Sequence, residues 1–223
     1  MSGTPPRHVI FYFDPISPYA WLAAQDLAHI ELQGLTVDCR PVLFAALLNA
    51  HGQKGPAEIA AKRVALFRDV MRLAAQRGVS FSGPPTHPFN PLYALRVCTA
   101  VSDAVQRKQL AVALMNGAWM HGRDISVPSE VDDIVAQCGL DSAALAAQAI
   151  TAGNKQALTA ATTAAIEAGV FGVPTFSLDG ELFWGADRIE SLLWRARGHT
   201  IDEAALARFL QRGASAQRKP TQD

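Results

Sequence analysis

The chain has 223 residues, of which 49% are hydrophobic, and its 20 Lys plus Arg balance its 20 Asp plus Glu. This length suits one large domain, or a domain with a big insertion, and the apolar content is ample for a core. The balanced charge and the lack of a basic stripe argue against nucleic acid and against acidic surfaces as partners.

The N-terminal segment predicts a βαβ unit. Residues 8–13 form an apolar run of β type, and apolar residues then recur at helical spacing from Ser17 to about Leu32. Residues 35–42 predict a second strand, which a helical crossover makes parallel to the first. Ser17 therefore lies where a strand ends and a helix begins, where backbone N–H groups and the helix dipole favour an anion.

The turn at this helix start is where a redox protein would carry C-x-x-C. The four positions here are Ser17, Pro18, Tyr19 and Ala20, so no disulfide can form or exchange at this site. A serine hydroxyl remains, and it is well placed to hydrogen-bond a thiolate brought in by another molecule. Glutathione is the obvious carrier of such a thiolate.

Strand signals vanish from Leu43 to about Ala168 and helical periodicity replaces them. The predicted helical segments are residues 57–77, 91–120 with at least one break, 129–138, 141–153 and an Ala-rich stretch over 143–168. Ser129 with Asp132 resembles a capped helix start. We predict an all-helical domain over residues 43–168.

Sheet character returns after Gly169. Asp179-Gly180 is a turn of hairpin type, and it joins two predicted strands, residues 173–178 and 181–184. The order βαβ, helices, ββα is the thioredoxin plan with a helical insertion. We therefore expect an α/β thioredoxin-like domain made of residues 1–42 and 169–223, split by the inserted helical domain of residues 43–168.

Two capping pairs predict helices near the C-terminus. Asp187 with Glu190 is typical of a helix start, and so is Thr200 with Glu203. After these helices, residues 213–223 are small, polar and charged, and we expect them to be a disordered tail.

The cysteines and the N-terminus bear on the compartment. Cys39, Cys98 and Cys138 lie far apart without metal-type spacing, so we expect buried small hydrophobes and no metal site. Residues 1–7 lack the features of a signal peptide, and no run of about 18 apolar residues would span a bilayer. We expect a cytoplasmic protein that binds no membrane.

Four sequence blocks, in order from residue 9 to about residue 195, resemble the 2-hydroxychromene-2-carboxylate isomerases and the related kappa-class glutathione transferases. The blocks are residues 11–14 with 17–19, 87–90 with 94–96, 171–176, and 184–188. The resemblance implies a DsbA-like thioredoxin fold and glutathione as cofactor. It also implies an enzyme of aromatic-compound catabolism and, by analogy, a homodimer.

The resemblance also implies roles for individual residues. Ser17 is the expected catalytic residue, which donates to the glutathione sulfur. The Val173-Pro174 bond is expected to be cis, with the Val173 backbone pairing with the peptide-like part of glutathione. Asp187 and Arg188 are expected to hold the γ-glutamyl end, although Asp187 also suits a simple helix cap.

Further expected contacts come from the segment after the second strand. Lys62 matches a lysine that contacts glutathione in relatives, and Gln53 stands where an asparagine is usual, although a solvated helix face is a serious alternative for Lys62. Ala65 stands near a tyrosine of the relatives, so we expect a roomier or differently shaped substrate side. Trp119, Trp184, Phe44 and Tyr93 are candidates for an aromatic pocket, but each is individually more typical of a core residue.

Other interpretations stay open. A Ser-His-Asp hydrolase built on Ser17, His87 and any carboxylate is disfavoured because G-x-S-x-G is absent and Pro18 follows the serine. His87 and Asn90 are read as turn residues that bond backbone groups, and Asp14 as a residue that orients Ser17. A kappa-like glutathione transferase or peroxidase is the main rival to the isomerase. A non-catalytic protein that binds a thiol or a peptide is the other.

Overall fold

The computed structural model describes residues 7–216. The strands are β1 (Arg7–Phe13), β2 (Leu35–Pro41), β3 (Thr175–Leu178) and β4 (Glu181–Trp184). The helices before residue 120 are α1 (Pro18–Ala24), α2 (Leu27–Leu32), α3 (Phe44–Ala50), α4 (Ala60–Gln76), α5 (Leu92–Ala100) and α6 (Ala104–Trp119), with a 3-10 turn at Pro56–Glu58. The later helices are α7 (Pro128–Gln137), α8 (Ser142–Ala149), α9 (Ala152–Glu167), α10 (Ile189–Ala196) and α11 (Glu203–Leu210).

The strands form one mixed sheet in the order β2-β1-β3-β4. β1 and β2 are parallel, because α1 and α2 cross over between them, whereas β3 is antiparallel to both β1 and β4. Phe11 lies opposite Cys39 on one side and opposite Phe176 on the other. The predicted α/β thioredoxin-like fold, with its helices inserted between β2 and β3, is confirmed.

The β3–β4 hairpin follows from its turn residues. Asp179 and Gly180 both have positive φ, at 52° and 85°, as a two-residue hairpin of the favoured twist requires. This conformation suits Gly and is tolerated by Asp. The predicted hairpin is confirmed at these positions.

One hydrophobic cluster runs from the sheet into the inserted helices. Phe11 packs against Phe13 and Phe176, with ring centroids 5.8 and 4.9 Å apart. Trp21 of α1 and Trp119 of α6 are both fully buried in the same cluster. The division into a thioredoxin-like domain and a separate helical domain stays a prediction.

The predicted single helix from Ser17 to Leu32 is wrong, since α1 and α2 are separated at Gln25 and Asp26. The Asp26 N–H would bond the Leu22 carbonyl in a continuous helix, but it bonds Ala23 O instead. Arg77 of α4 donates to Leu22 O at 2.7 Å and pairs with the Asp26 carboxylate at 2.9 Å. In place of the Asp26 N–H, the Leu22 carbonyl therefore accepts from this distant arginine and from the Gln25 N–H at 3.3 Å.

Several predicted helix starts are also displaced. α7 begins after Val127, and the Asp132 carboxylate accepts from the Tyr93 hydroxyl instead of supporting a Ser129 cap. α11 is capped by Asp202, which accepts from the Ala205 N–H at 2.8 Å. Thr200 is therefore not the cap.

The predicted helical segment over residues 141–153 is divided between two helices, α8 and α9. α8 ends at Ala149, and the Thr151 hydroxyl, which accepts from the Asn154 N–H at 3.2 Å, caps α9. Of the predicted disordered tail over 213–223, residues 217–223 lie outside the described residues, as do residues 1–6.

Candidate active site

Ser17 occupies the N-cap of α1, where its backbone is still extended at φ −90° and ψ 115°. Its hydroxyl oxygen accepts from the Ala20 N–H at 3.2 Å, as an N-cap side chain does. Pro18 takes the first helical position, where a missing N–H costs nothing. The Ser17 hydroxyl donates to the Val173 carbonyl oxygen, 3.3 Å away. The side chain is 6% exposed.

The Val173-Pro174 bond is cis, which confirms that prediction. The contact with Ser17 also confirms that the Val173 backbone faces the α1 N-terminus. Within residues 7–216 the Val173 N–H donates no hydrogen bond to a backbone carbonyl. The Val173 N–H is therefore a free donor beside the serine, and the Val173 carbonyl is an acceptor with one long hydrogen bond. An extended peptide can pair with a donor and an acceptor of this kind.

Tyr19 is committed to another partner. Its hydroxyl donates to the Asp69 carboxylate of α4 at 2.9 Å. Burial, then this hydrogen bond, then the charges of Asp69 and Asp187 raise the pKa of Tyr19 to about 12. Ser17 is therefore the hydroxyl of this turn that faces Val173.

The turn at Gly185 ties two predicted binding residues to the proline. The Gly185 N–H donates to the Pro174 carbonyl at 3.0 Å. Gly185 has a φ of +116°, a conformation that favours glycine over residues with a β-carbon. The turn that leads to Asp187 and Arg188 is thereby bonded to the proline.

Asp187 is not the helix cap that its spacing to Glu190 predicted. α10 begins at Ile189, and Arg188 stands in the cap position without a side-chain bond to the helix. The Asp187 carboxylate instead pairs with Arg188 at 2.8 Å on the surface. The ligand-binding role of both residues stays a prediction.

The structure places Gln53 and Lys62 differently. Gln53 is exposed in the loop after α3. In the same loop, His51 donates through Nε2 to the Val170 carbonyl at 3.3 Å, and its ring lies edge-on to Phe171. Gln53 therefore lies in a loop bound to the segment that leads to Val173. Lys62 is exposed in the first turn of α4 and has no ion pair in the described part of the chain. Both binding roles stay predictions.

The aromatic candidates separate into core and surface. Trp119 is fully buried and donates through Nε1 to the Pro15 carbonyl at 2.8 Å, so it is a core residue and no pocket wall. Phe44 and Tyr93 are half-buried. Trp184 is 54% exposed, and its ring lies edge-on to Phe171 with centroids 4.9 Å apart. It is the candidate that offers open aromatic surface near Val173.

The Asp14 carboxyl is fully buried below the site. It accepts from the Ile16 N–H and from the Phe44 N–H, both at 3.0 Å, and makes no bond to the Ser17 hydroxyl. The idea that its side chain orients Ser17 directly is therefore wrong, although the Asp14 carbonyl accepts from the Ser17 N–H at 3.0 Å. Burial outweighs the two N–H donors and raises the pKa of Asp14 to about 7.

This raised pKa predicts a pH-dependent stability. The pKa of this carboxyl is higher in the folded protein than in the unfolded protein, so its contribution to stability is fully present at pH values below the unfolded pKa. This contribution is lost as the pH rises toward the folded pKa of about 7. We expect the free energy of unfolding to fall between pH about 4 and about 7, by up to about 4 kcal/mol. Urea unfolding of the parent and of Asp14→Asn across this range measures it. Equal slopes for the two proteins would contradict the assignment.

The three cysteines have the burial and the raised pKa of unreactive thiols. Cys39 and Cys98 are buried and Cys138 is half-buried, all as free thiols, and burial raises the pKa of each thiol. The burial prediction is confirmed for the first two. Among residues 7–216 no three His, Cys, Asp or Glu side chains are grouped to hold a metal, and no helix is both long and apolar enough to cross a membrane.

Sequence reasoning missed what His87 bonds. Asn90 does act locally, since its side chain accepts from the Leu92 N–H at 3.0 Å. His87 instead bonds the Ile16 carbonyl of the β1–α1 loop through Nε2, at 3.0 Å. It does not touch the Ser17 hydroxyl, so the Ser-His-Asp hydrolase has no support. The block at 87–90 was the one sequence signal for this region, and it carried no information on a partner 71 residues away.

Ser17, at the start of α1, faces the cis-proline that directly precedes β3 in the β2-β1-β3-β4 sheet. This arrangement defines a thioredoxin-fold protein that has no redox cysteine pair at the start of α1. The chain belongs to the family of the DSBA-like thioredoxin domain, whose sequence model matches residues 8–195. The DsbA-like thioredoxin fold that the four sequence blocks imply is thereby confirmed.

Relatives of known activity fall in two groups. The chain is 28% identical over 189 residues to a 2-hydroxychromene-2-carboxylate isomerase of Sphingobium xenophagum, an alignment that covers 83% of this chain and 96% of the relative. It is 26% identical over 207 residues to glutathione S-transferase kappa 1 of Rattus norvegicus, with 86% and 92% covered. A solved structure of a 2-hydroxychromene-2-carboxylate isomerase matches with a TM-score of 0.77 at 26% identity, covering 92% of this chain and 96% of that one.

Proposed function

We propose that this protein is a glutathione-dependent isomerase that interconverts 2-hydroxychromene-2-carboxylate, or a close analogue, and its ring-opened benzylidenepyruvate form in aromatic-compound catabolism. The observation that carries the proposal is the Ser17 hydroxyl facing the Val173 backbone beside a cis-proline. The similarity to an isomerase of that name supports the substrate class.

The groups around Ser17 fit glutathione. The hydrogen bond from Ser17 to Val173 O is 3.3 Å long, well beyond the usual length of about 2.7 to 2.8 Å for hydroxyl donors. The hydroxyl can therefore turn to a thiolate with little loss. The Val173 N–H and carbonyl are then both available to the peptide-like part of the ligand, which brings the sulfur opposite the serine.

Ser17 carries the chemical role. When bound, glutathione supplies a thiolate that adds reversibly to the conjugated C=C bond of the substrate, so that the resulting single bond rotates before elimination. The Ser17 hydroxyl donates to this thiolate and lowers its pKa from the ordinary value of about 8.5 toward neutrality. Donation to a charged sulfur is stronger than donation to the neutral Val173 carbonyl.

Charged side chains in the turn after β4 match the two charges at the γ-glutamyl end of glutathione. The Asp187 carboxylate suits the γ-glutamyl ammonium, and Arg188 suits the γ-glutamyl carboxylate. Their present ion pair is exposed, so a ligand carrying both charges can replace it at small cost. Gln53, in the loop fastened to Val170, and Lys62 of α4 are proposed to contact the rest of the tripeptide.

Asp187→Ala is expected to weaken glutathione binding and to leave the turnover of the saturated enzyme nearly unchanged. The residue would contact a part of the ligand far from the sulfur, so its contribution is equal in the ground and transition states. A loss of about tenfold in affinity corresponds to one exposed charged contact. Calorimetric titration measures the affinity and steady-state rates measure turnover.

Because Asp187 does not cap α10, this variant is expected to keep the parent's melting temperature without ligand. Glu181→Ala is the matched control, since Glu181 also forms a surface pair, with Arg195 at 3.0 Å, but lies away from Pro174 on β4. Equal glutathione affinities for the parent and Asp187→Ala would remove Asp187 from the site.

A kappa-like glutathione transferase is the second candidate, favoured by the similarity to the rat enzyme over most of both chains. It would use the same Ser17 and Val173 contacts and differ in the electrophile. The homodimer and the cytoplasmic location stay predictions.

Ultraviolet spectra of 2-hydroxychromene-2-carboxylate, recorded with the protein and with or without glutathione, test the proposal. Rapid equilibration that requires glutathione is the expected result. Conjugation of glutathione to an aromatic electrophile without isomerisation would favour the transferase. Glutathione binding without either reaction would indicate a non-catalytic protein and contradict the proposal.

A further inference from the structure

The β1–α1 loop that carries Ser17 is held by side chains of the inserted helical region. Trp119 donates through Nε1 to the Pro15 carbonyl at 2.8 Å, and His87 bonds the Ile16 carbonyl through Nε2 at 3.0 Å. The second contact matters most, because the Ile16 carbonyl belongs to the peptide unit that leads into Ser17.

Both polar ends of this peptide unit are fixed. The Ile16 carbonyl meets His87, and the Ser17 N–H at the other end donates to the Asp14 carbonyl at 3.0 Å. A peptide unit is planar, so holding its two ends sets the position of the Ser17 Cα, and the φ of −90° at the start of α1 then sets the direction of the side chain. That direction brings the hydroxyl to 3.3 Å from Val173 O.

The protonation of His87 follows from its partners. A carbonyl oxygen only accepts, so Nε2 must carry the hydrogen. Nδ1 is buried and has no hydrogen-bond partner among residues 7–216, so a second proton would be placed on a buried nitrogen without an acceptor, which favours the neutral ring. The imidazole is surrounded by the rings of Phe67, Trp119 and Phe89, with centroids 5.2, 5.3 and 6.4 Å away.

The surroundings keep the ring neutral. Burial lowers the pKa of His87, the Ile16 carbonyl acts in the opposite direction, and the nearby Arg63 guanidinium lowers the pKa further. The Arg63 guanidinium lies over the Phe67 ring, 5.8 Å from its centroid. An aromatic cage of this kind would accept an apolar ring without leaving an unpaired buried nitrogen, so packing alone does not account for an imidazole here.

We propose that His87 is a positioning residue for Ser17, whose Nε2–H fixes the Ile16–Ser17 peptide so that the serine hydroxyl is aimed at the thiol site. This inference rests on the proposed role of Ser17 with glutathione. It assigns the inserted helical region a part in catalysis, because the residue that aims the serine comes from the segment between α4 and α5.

His87→Gln and His87→Asn form a matched pair of tests. A glutamine amide nitrogen reaches about as far as Nε2, whereas the asparagine amide is one methylene shorter and falls short of the Ile16 carbonyl. Two quantities are measured for each variant: the pH dependence of thiolate absorbance of bound glutathione, and the turnover number with the KM for glutathione.

We expect His87→Gln to stay within about twofold of the parent, because the donor is kept. We expect His87→Asn to lose about tenfold in turnover number, to raise the pH of half-ionisation of the thiol by about one unit, and to change KM by less than about threefold. Equal behaviour of the two variants, or a loss of melting temperature without a change in thiol ionisation, would overturn the positioning role.

Ser17→Ala, measured in the same way, separates this inference from the proposed function. If Ser17→Ala raises the thiol pKa and His87→Asn does not, only the positioning role fails. If Ser17→Ala changes nothing, both fail. Nitrogen NMR of histidine-labelled parent protein needs no variant: the neutral Nε2–H form of His87 at neutral pH supports the proposal, and the Nδ1–H form overturns it.

Discussion

Ser17→Ala is expected to lower the turnover number for isomerisation about ten- to a hundredfold, with glutathione affinity changed much less. The hydroxyl is the donor that faces Val173 across the site, and a hydrogen bond to a charged group contributes about 1.5 to 3 kcal/mol. The rest of the tripeptide is held by other groups, so binding survives. Steady-state kinetics at neutral pH, with calorimetric titration of glutathione, measure both quantities.

The cap that Ser17 provides to α1 must be separated from its catalytic role. Loss of the bond from the Ala20 N–H is expected to cost about 1 kcal/mol of stability. Ser142→Ala is the matched control, because the half-buried Ser142 hydroxyl also donates to a backbone carbonyl, Asp132 O at 3.1 Å, away from the site. Parent-like turnover by Ser17→Ala would remove Ser17 from the mechanism.

Ser17→Cys gives a related expectation with a distinct readout. A thiol is a weaker donor than a hydroxyl, so isomerisation is expected to slow. Under oxidising conditions the new thiol lies where the glutathione sulfur is proposed to bind, and it can form a mixed disulfide. Mass spectrometry of the intact protein detects this adduct, and its absence while other cysteines become modified would contradict the proposed position of the sulfur.

Trp119→Ala is expected to lower the free energy of unfolding by about 3 to 5 kcal/mol, the usual cost of removing a large buried aromatic. Trp119 is fully buried, and its ring contacts Phe67, Phe81 and His87. The change also leaves the Pro15 carbonyl without its donor. Urea unfolding, followed by two probes to check for a single transition, measures the loss.

Two further variants show which part of Trp119 matters. Trp119→Phe keeps an aromatic ring but removes Nε1, and it is expected to cost about 1 to 3 kcal/mol for the unpaired Pro15 carbonyl. Trp194→Ala is the control, because Trp194 of α10 is 42% exposed and its loss is expected to cost about 0.5 kcal/mol. Equal losses for Trp119→Ala and Trp194→Ala would contradict the buried role.

Local chemistry made much of the fold predictable. The Asp179-Gly180 hairpin and the serine-proline helix start depend on residues adjacent in sequence, and both are observed. The cis bond before Pro174 was predictable from the resemblance of its block to known relatives. These features need no knowledge of distant contacts.

The failures come from partners far away in the sequence. Where the helix after Ser17 divides, the Leu22 carbonyl accepts from Arg77 of α4, and periodicity within the helix carries no sign of this partner. Asp187 has the spacing of a cap but pairs with Arg188. His87 resembles a local turn residue, yet it bonds the Ile16 carbonyl. Side-chain partners of this kind are decided by the packing of helices, which the pattern of one segment does not specify.

The central claim is that the site formed by Ser17 and Val173 binds glutathione as a thiolate. The most direct measurement is the ultraviolet absorbance of the thiolate as a function of pH, for glutathione with and without saturating protein. The account predicts a saturable, protein-dependent signal whose half-ionisation lies at least about one pH unit below the ordinary thiol value of about 8.5, and whose shift is lost in Ser17→Ala. Half-ionisation at the value of free glutathione, in a protein that binds it, would contradict the account.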